Sequence, residues 1–501
     1  MNLLRAGCGR LLLLLTLGST ASAADSAAAP TQVLFIIADD ASRHFGEAYG
    51  VSWVKTPHID RLARRGLVFD HAYTPTSKCA PSRAAILTGR NPWQLEDAAN
   101  HQPFFPAKFM AFSEALAQAG VACGGAGKTW GPGEAKRSDG RPRNFALDHA
   151  GGLDDRNPGA GLTAFLKRRT PGQPFFYWFG SRYPHRGYAR DSGIQAGKKI
   201  TDIDRVPAYW PDHELVRRDM LDYAIEVEAY DAQVGSLIAA LEASGELPRT
   251  LIIVTSDHGM PFPRVKGHTY DDAHHIPLVA SWPNRIAQPG RRVADFLSFI
   301  DLAPTFLDLF GVNGPAQGMA PLTGRSFCDL LSGQPTVARP FVILGRERND
   351  VLARPGSPAG LGYPTRAIRS GHFFFVQNFT PDRWPCGNPE LGAKDTDASP
   401  SKTFVTALGE FSPFWQHAFG RRPSEQLFDL TSDPDCVQNL AADPAHQSAL
   451  NTLRATLRAE LQRQKDPRIL GQGEIFDQYL SPRVDSSTSA SVRKANRKAK
   501  L

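Results

Sequence analysis

The chain is poor in cysteine, has no long apolar run beyond its first twenty residues, and shows no internal repeat. It has six cysteines in 501 residues. Cys8 precedes the short apolar run, which makes it a poor site for lipid attachment. The other five are Cys79, Cys123, Cys328, Cys386 and Cys436. Their wide spacing and odd number exclude a disulfide scaffold, although one or two bridges remain open. Cys386 and Cys436 share the C-terminal part and could pair, and an odd count leaves at least one cysteine for another use. No later segment approaches the roughly 20 apolar residues of a membrane-spanning helix, so no stable membrane insertion is expected. Charge of one sign is not in large excess. The formal net charge is +7, and part of it sits at Arg5 and Arg10 and in the terminal cluster Arg493, Lys494, Arg497, Lys498 and Lys500. Such a tail suits an acidic partner or simply stays solvated. The middle is nearer neutral, and nucleic acid is not an expected partner.

What is present is a soluble globular composition, 42% apolar and 21% charged. The length suggests two domains. Arg5 and Arg10, the run "LLLLLTLG" (11–18) and "ASA" (21–23) read as an export signal over residues 1–23, with an uncleaved anchor as the alternative. A periplasmic or secreted protein is expected.

Strand-like and helix-like segments alternate from residue 31 onward. "TQVLFIIADD" (31–40) and "TLIIVTSDHG" (250–259) are apolar runs with acidic ends, as buried strands would be. A long helix is predicted over about 214–243, with Tyr223, Val227, Tyr230, Val234, Leu237 and Leu241 at helical spacing. The alternation predicts an α/β fold: a large, mainly parallel sheet flanked by helices over 30–340. A smaller α+β domain with a short antiparallel sheet is expected over 341–470. Residues 471–501 read as a basic, disordered tail.

In such sheets ligands bind beyond the carboxyl ends of the strands. Asp39, Asp40, Asp257 and His258 fall at such ends, and Lys128 and His185 just follow strands. Carboxylates gathered at two strand ends suit a hard divalent cation. Capping of the next helix is the bland alternative for Asp39 and Asp40. "KCAPSRAAILTGR" (78–90) places Cys79 at a helix N-terminus, because Pro81 suits a first turn and Gly89 a stop. Backbone N–H groups favour an anion there, and Arg83 is near enough to clamp one. Position alone leaves both a thiolate nucleophile and an inert half-buried thiol open.

Cys79-Ala80-Pro81-Ser82-Arg83 with Leu87-Thr88-Gly89-Arg90 resembles the signature of the type I sulfatases of the alkaline phosphatase superfamily. The resemblance runs from 31 to about 465. It includes "DD" (39–40), "TPHIDRLARRG" (56–66), "GK" (127–128), "PHR" (184–186), "SDHG" (256–259) and "LFDLTSDPDCVQNLA" (427–441). It implies that Cys79 is converted to 3-oxoalanine (formylglycine) by a formylglycine-generating enzyme. It implies calcium, with magnesium possible, on Asp39, Asp40, Asp257, His258 and residue 79 itself. Arg83 would steady the formylglycine, and Lys128, His185 and Lys266 would bind sulfate, with one of them or a nearby histidine protonating the leaving group. Many relatives read G-K-x-H, whereas this chain reads Gly127-Lys128-Thr129-Trp130. Tryptophan exchanges no proton at neutral pH, so the base is open and Trp130 is assigned instead to a sugar face. His258 stands where asparagine is frequent.

"DHGMPFPRVK" (257–266) and "GYPTRAIRSGHFFFVQNF" (362–379) resemble the heparan N-sulfatase (sulfamidase) branch. The expected reaction is hydrolysis of a sulfamate or sulfate ester on a glycosaminoglycan-type saccharide, N-sulfoglucosamine favoured. Arg346, Glu347 and Arg366 are expected at the mouth, with His101 and His268 as further sugar contacts. The alternatives are an O-sulfatase on another glycan, a phosphodiesterase or phosphonate hydrolase of the same superfamily, and a non-catalytic glycan binder.

Overall fold

A computed structural model describes residues 31–484, apart from 137–139, 141, 144, 146–155 and 284. The expected export signal and residues 485–501 of the tail lie outside the described residues.

The first sheet has seven strands: β1 (Gln32–Ala38), β2 (Leu67–Tyr73), β3 (Ala122–Gly127), β4 (Phe175–Gly180), β5 (Thr250–Ser256), β6 (Leu278–Ser281) and β7 (Arg291–Ser298). Their order is β3-β4-β1-β5-β6-β2-β7. All pairings are parallel except those of β6 with β5 and with β2. Every residue of β1, β4 and β5 is buried, which is why their sequences are apolar runs without alternation. The Glu214–Ser244 helix covers one face, burying the six residues predicted for its apolar stripe. Tyr230 also donates its hydroxyl to the carbonyls of Ile36 and Thr255 at 3.1 and 3.0 Å. The Phe112–Gln118 and Leu302–Leu309 helices cover the other face. Each fully buried large apolar side chain contributes about 1.5–3 kcal/mol.

The second sheet contains β8 (Phe341–Arg346), β9 (Thr365–Ser370), β10 (Phe373–Asn378) and β11 (Glu425–Asp429), antiparallel in the order β11-β10-β9-β8. Leu450, Leu453, Leu457 and Leu461 of the Gln447–Arg463 helix pack on one face. The other face lies against Tyr73 and Tyr270 of the larger body.

Two expectations need correction. Residues 471–484 are not free of structure: Phe476 is buried, and Asp477 accepts from Gly362 N at 2.7 Å and pairs with Arg383 at 3.1 Å. One aromatic anchor and one satisfied carboxylate hold this segment down. Cys386 and Cys436 are not paired. All five cysteines among the described residues are free. Cys386 meets His268, while the backbone carbonyl of Cys436 accepts from Arg264.

Candidate active site

The site forms where β1 and β5, adjacent and parallel, end side by side. Asp257 N donates to Ala38 O at 3.2 Å, and Asp40 N donates to Asp257 Oδ1 at 3.1 Å. Asp40 turns out of the strand with φ 77°, a conformation that costs an L-residue about 1–2 kcal/mol. Such outliers persist where surrounding contacts hold them, and they concentrate at functional sites.

Three cations and a histidine answer the buried carboxylates. Lys128 Nζ donates to both oxygens of Asp39 at 2.6 and 2.7 Å. Lys266 Nζ donates to Asp40 Oδ2 at 2.6 Å and to Asp397 Oδ2 at 2.8 Å. The fully buried Arg83 donates through Nε to Asp257 Oδ2 at 2.9 Å, and its other nitrogens reach Lys128 O and Asp39 Oδ1. Its hydrogen bonds therefore go to the strand ends that carry the site. His185 lies further out, with Nε2 3.9 Å from Asp40 Oδ2. Burial pushes Asp39 up to about 6, Lys128 opposing it and the other two aspartates adding to it.

Asp40, Asp257 and His258 offer ligand atoms within 4.8 Å of one another, and a second such group joins Asp40, His185 and Asp397. His258 Nε2 and Asp40 Oδ1 are 3.0 Å apart, yet they are out of line for a hydrogen bond and neither has another partner. Two such orphaned buried atoms are costly. His258 Nδ1 donates to Gly259 O at 3.0 Å, leaving Nε2 as the ring's free nitrogen. The donor set fits a divalent cation held by oxygens and one imidazole. Asp39 belongs to neither group, and both of its oxygens accept from Lys128.

Cys79 opens the Cys79–Thr88 helix, which ends at Gly89 in the left-handed region, φ 65°. The helix is tied to β5 by Ser82 Oγ, which donates to Asp257 O at 2.7 Å. Cys79 faces a cavity of about 500 Å³ lined also by Lys78, His101, Lys128, Trp130, His185, Lys266, Asp350, Asp397 and Arg483. His101 Nε2 is 3.4 Å from Cys79 Sγ, and His101 Nδ1 is 3.1 Å from Asp350 Oδ1. Lys78 Nζ holds the other oxygen of Asp350 at 2.8 Å. Burial would push the thiol up, but Lys128 and His101 outweigh it and hold Cys79 well below the usual thiol range. Residue 79 therefore sits where an anion is favoured. Trp130 lines the same cavity, its Nε1 donating to Gly133 O at 2.9 Å.

The structure thus brings together Asp39, Asp40, Cys79, Arg83, His101, Lys128, Trp130, His185, Asp257, His258 and Lys266. It does not bring Arg346, Glu347, Arg366 or His268 to the cavity. Arg366 is fully buried and bonds Asp466 at 2.7 and 3.0 Å and Glu347 at 2.8 Å. Glu347 takes Arg468 on its other oxygen at 2.6 Å. Arg346 donates to the carbonyls of Tyr363 and Pro385. Arg366, Glu347, Asp466 and Arg468 pair with one another, whereas Arg346 is met by backbone carbonyls. His268 is buried with Nε2 2.8 Å from Cys386 Sγ. Sequence reasoning missed Lys78, Asp350, Asp397 and Arg483. Lys78 adjoins Cys79 and was within reach of the motif. The other three lie in loops, where no periodic or motif signal marks them.

Acidic strand ends, a cysteine at a helix N-terminus and cations around one cavity suit the hydrolysis of a tetrahedral oxyanion ester. The Sulfatase family profile matches residues 31–312, and the chain belongs to that family. It is a sulfuric ester hydrolase. It is 29% identical to N-sulphoglucosamine sulphohydrolase of Homo sapiens, over 91% of this chain and 94% of that one. It is 27% identical to an ulvan-active sulfatase of Formosa agariphila, over 89% and 77% of the two chains. The fold is shared with a structure bound to its substrate D-glucosamine-2-N,6-O-disulfate, with TM-score 0.61, 19% identity, and 87% and 98% of the chains covered. It is also shared with the phosphonate monoester hydrolase of Agrobacterium radiobacter, with TM-score 0.62, 18% identity, and 87% and 96% covered.

Proposed function

We propose that this protein hydrolyses the sulfamate or sulfate ester of a glycosaminoglycan-type saccharide, with N-sulfoglucosamine as the favoured unit and residue 79 acting as formylglycine. The observation that carries this reading is Cys79 at a helix N-terminus, between Lys128 and His101 at the foot of the cavity. The near full-length similarity to N-sulphoglucosamine sulphohydrolase supports the substrate class. The hydrated aldehyde supplies paired hydroxyls, one to take the sulfuryl group and one to expel sulfate. Cys79 Sγ stands in for one of those oxygens. Asp40, Asp257 and His258, with Asp39 beside them, would hold calcium or magnesium, which supplies Lewis-acid polarisation of a sulfate oxygen.

The remaining work falls to the chain's own side chains. Lys128 and Lys266 bind the sulfate oxygens, and Arg83 positions the strand-end carboxylates. His185, exposed at the rim, is placed to protonate the leaving group. His101, oriented by Asp350, is placed to take and return the proton of residue 79, the role that Trp130 cannot fill. Trp130 offers its ring to a sugar. Maturation by a formylglycine-generating enzyme, export by residues 1–23 to the periplasm or medium, and a division near residue 340 complete the reading.

The test is sulfate release from defined N- and O-sulfated saccharides, alongside aryl sulfate and aryl phosphate esters. Preferred release from N-sulfoglucosamine is expected. Preference for another sulfated glycan moves the substrate to the O-sulfatase alternative, and a large preference for phosphate overturns the sulfatase reading. Conversion at residue 79 removes about 18 Da from its peptide. An unmodified thiol in protein from a competent host favours a glycan binder.

A further inference from the structure

A second cluster lies apart from the cavity, between the loop after β5 and the second sheet. His268, Tyr270, Arg346, Tyr363, Asn378, Arg422 and neighbouring residues line a small space of about 10 Å³. That is room for one water molecule or one monatomic ion. The surroundings are strongly cationic. Arg346, Arg422, Arg264 and Arg354 all oppose a charge on His268. Among the described residues only Arg354 of these four has a carboxylate partner, Asp395. Arg346, Arg264 and Arg422 have backbone carbonyls instead. Arg264 sits over the Tyr270 ring at 3.8 Å and Arg346 over the Tyr363 ring at 4.9 Å. Rings and carbonyls soften three buried guanidiniums but do not neutralise them.

Two further observations point to a missing ligand. The Tyr363 hydroxyl and Arg422 Nε belong to side chains that line the space and are at least nine-tenths buried, and neither atom has a hydrogen-bond partner. Both are donors when Tyr363 is protonated, so the partner they want is an acceptor. The Cys386 thiol beside His268 supplies no compensating charge, because burial pushes it up.

We infer that a single monatomic anion, a halide such as chloride, binds in the space lined by Tyr363, Arg346, Arg422 and His268. It supplies the missing negative charge and accepts the unpartnered donors. Polyatomic anions are excluded by size. The site also bears on the active site. Asp395, which pairs with Arg354, accepts from Asp350 N at 2.8 Å, and Asp350 orients His101. Arg346 and Arg354 both donate to the carbonyl of Pro385, which lines the space, so the halide site is joined to Asp350 through Pro385, Arg354 and Asp395.

The test uses the full chain exchanged into sodium gluconate and then titrated with sodium bromide at constant ionic strength. Thermal midpoint and bromide anomalous scattering from crystals are the readouts. Neither depends on sulfatase turnover, so failure here is distinct from failure of the proposed function. The expected result is a saturable rise in midpoint and one anomalous peak within the space. Tyr363→Phe, which removes one neutral donor and keeps the ring, should raise the half-saturating bromide concentration about tenfold. Arg346→Gln should abolish the response if the variant folds. Ordered water without an anomalous peak overturns the inference. So does a non-saturating salt effect that Tyr363→Phe leaves unchanged.

Discussion

His101 Nε2 lies 3.4 Å from Cys79 Sγ, although 22 residues separate them. Asp350, from beyond β8, fixes the other ring nitrogen at 3.1 Å. This pairing puts a proton carrier against residue 79 in a chain whose G-K-x-H position holds Trp130.

His101→Ala should lower kcat by about 10²–10⁴, the usual range for loss of an acid–base group. Asp350→Asn should lower it less, because it frees the ring without removing it. Sulfate release, with circular dichroism to confirm folding, is the measurement. Unchanged kcat in His101→Ala would remove it from the chemistry.

Cys79→Ala should abolish turnover while leaving the fold and saccharide binding largely intact. Calorimetric titration with the substrate saccharide measures the second part. Full activity in this variant would refute the nucleophile assignment.

Asp257→Asn takes a charge from the metal group and from Arg83, which is fully buried. Activity should fall to background or need far more calcium. Breaking one side of a buried pair typically costs about 3–5 kcal/mol, so the thermal midpoint should drop as well. Metal analysis and calorimetry measure the two effects separately. A variant with normal bound calcium would count against Asp257 as a ligand.

Arg366→Ala should destabilise the protein by about 3–5 kcal/mol, since Glu347 and Asp466 lose their shared buried partner. KM for the saccharide should not change in protein that remains folded. A selective rise in KM would return Arg366 to the cavity mouth.

Acid should weaken the fold at His44, in a window where the raised carboxyl of Asp39 acts in the opposite sense. Burial holds His44 neutral and lowers it from 6.5 to about 4. Between those values the unfolded chain binds a proton that the folded chain does not, so this contribution to stability rises with pH across the window and falls as pH drops from about 6.5 to 4. The full effect is on the order of 3 kcal/mol, at about 1.36 per pH unit. Urea midpoints measured from pH 7 to 4.5 in the parent chain and in His44→Gln isolate this contribution: the parent should lose more stability, or gain less, than the variant as pH falls.

The α/β core was legible because buried parallel strands must be apolar throughout and must end in polar residues at the ligand-binding edge. The stripe of the Glu214–Ser244 helix was legible for a similar reason, its 3.6-residue period. Arg346, Glu347 and Arg366 were misplaced because sequence cannot tell a charge facing solvent from one closed by another charge. Arg366 pairs with Asp466 100 residues away, and no local pattern records that.

By itself, the sequence determined Cys79 at its helix start and the acidic strand ends. Cys79 depends on its neighbours Pro81 and Arg83 within a few residues, and Asp39, Asp40, Asp257 and His258 depend on two strands whose periodicity is local. Tertiary structure alone decided that His101 meets residue 79, that Lys78 locks Asp350, and where the guanidiniums beyond the site are buried. Those relationships are set by contacts between loops. Loop geometry follows from packing across the two sheets rather than from any repeating chemistry along the chain.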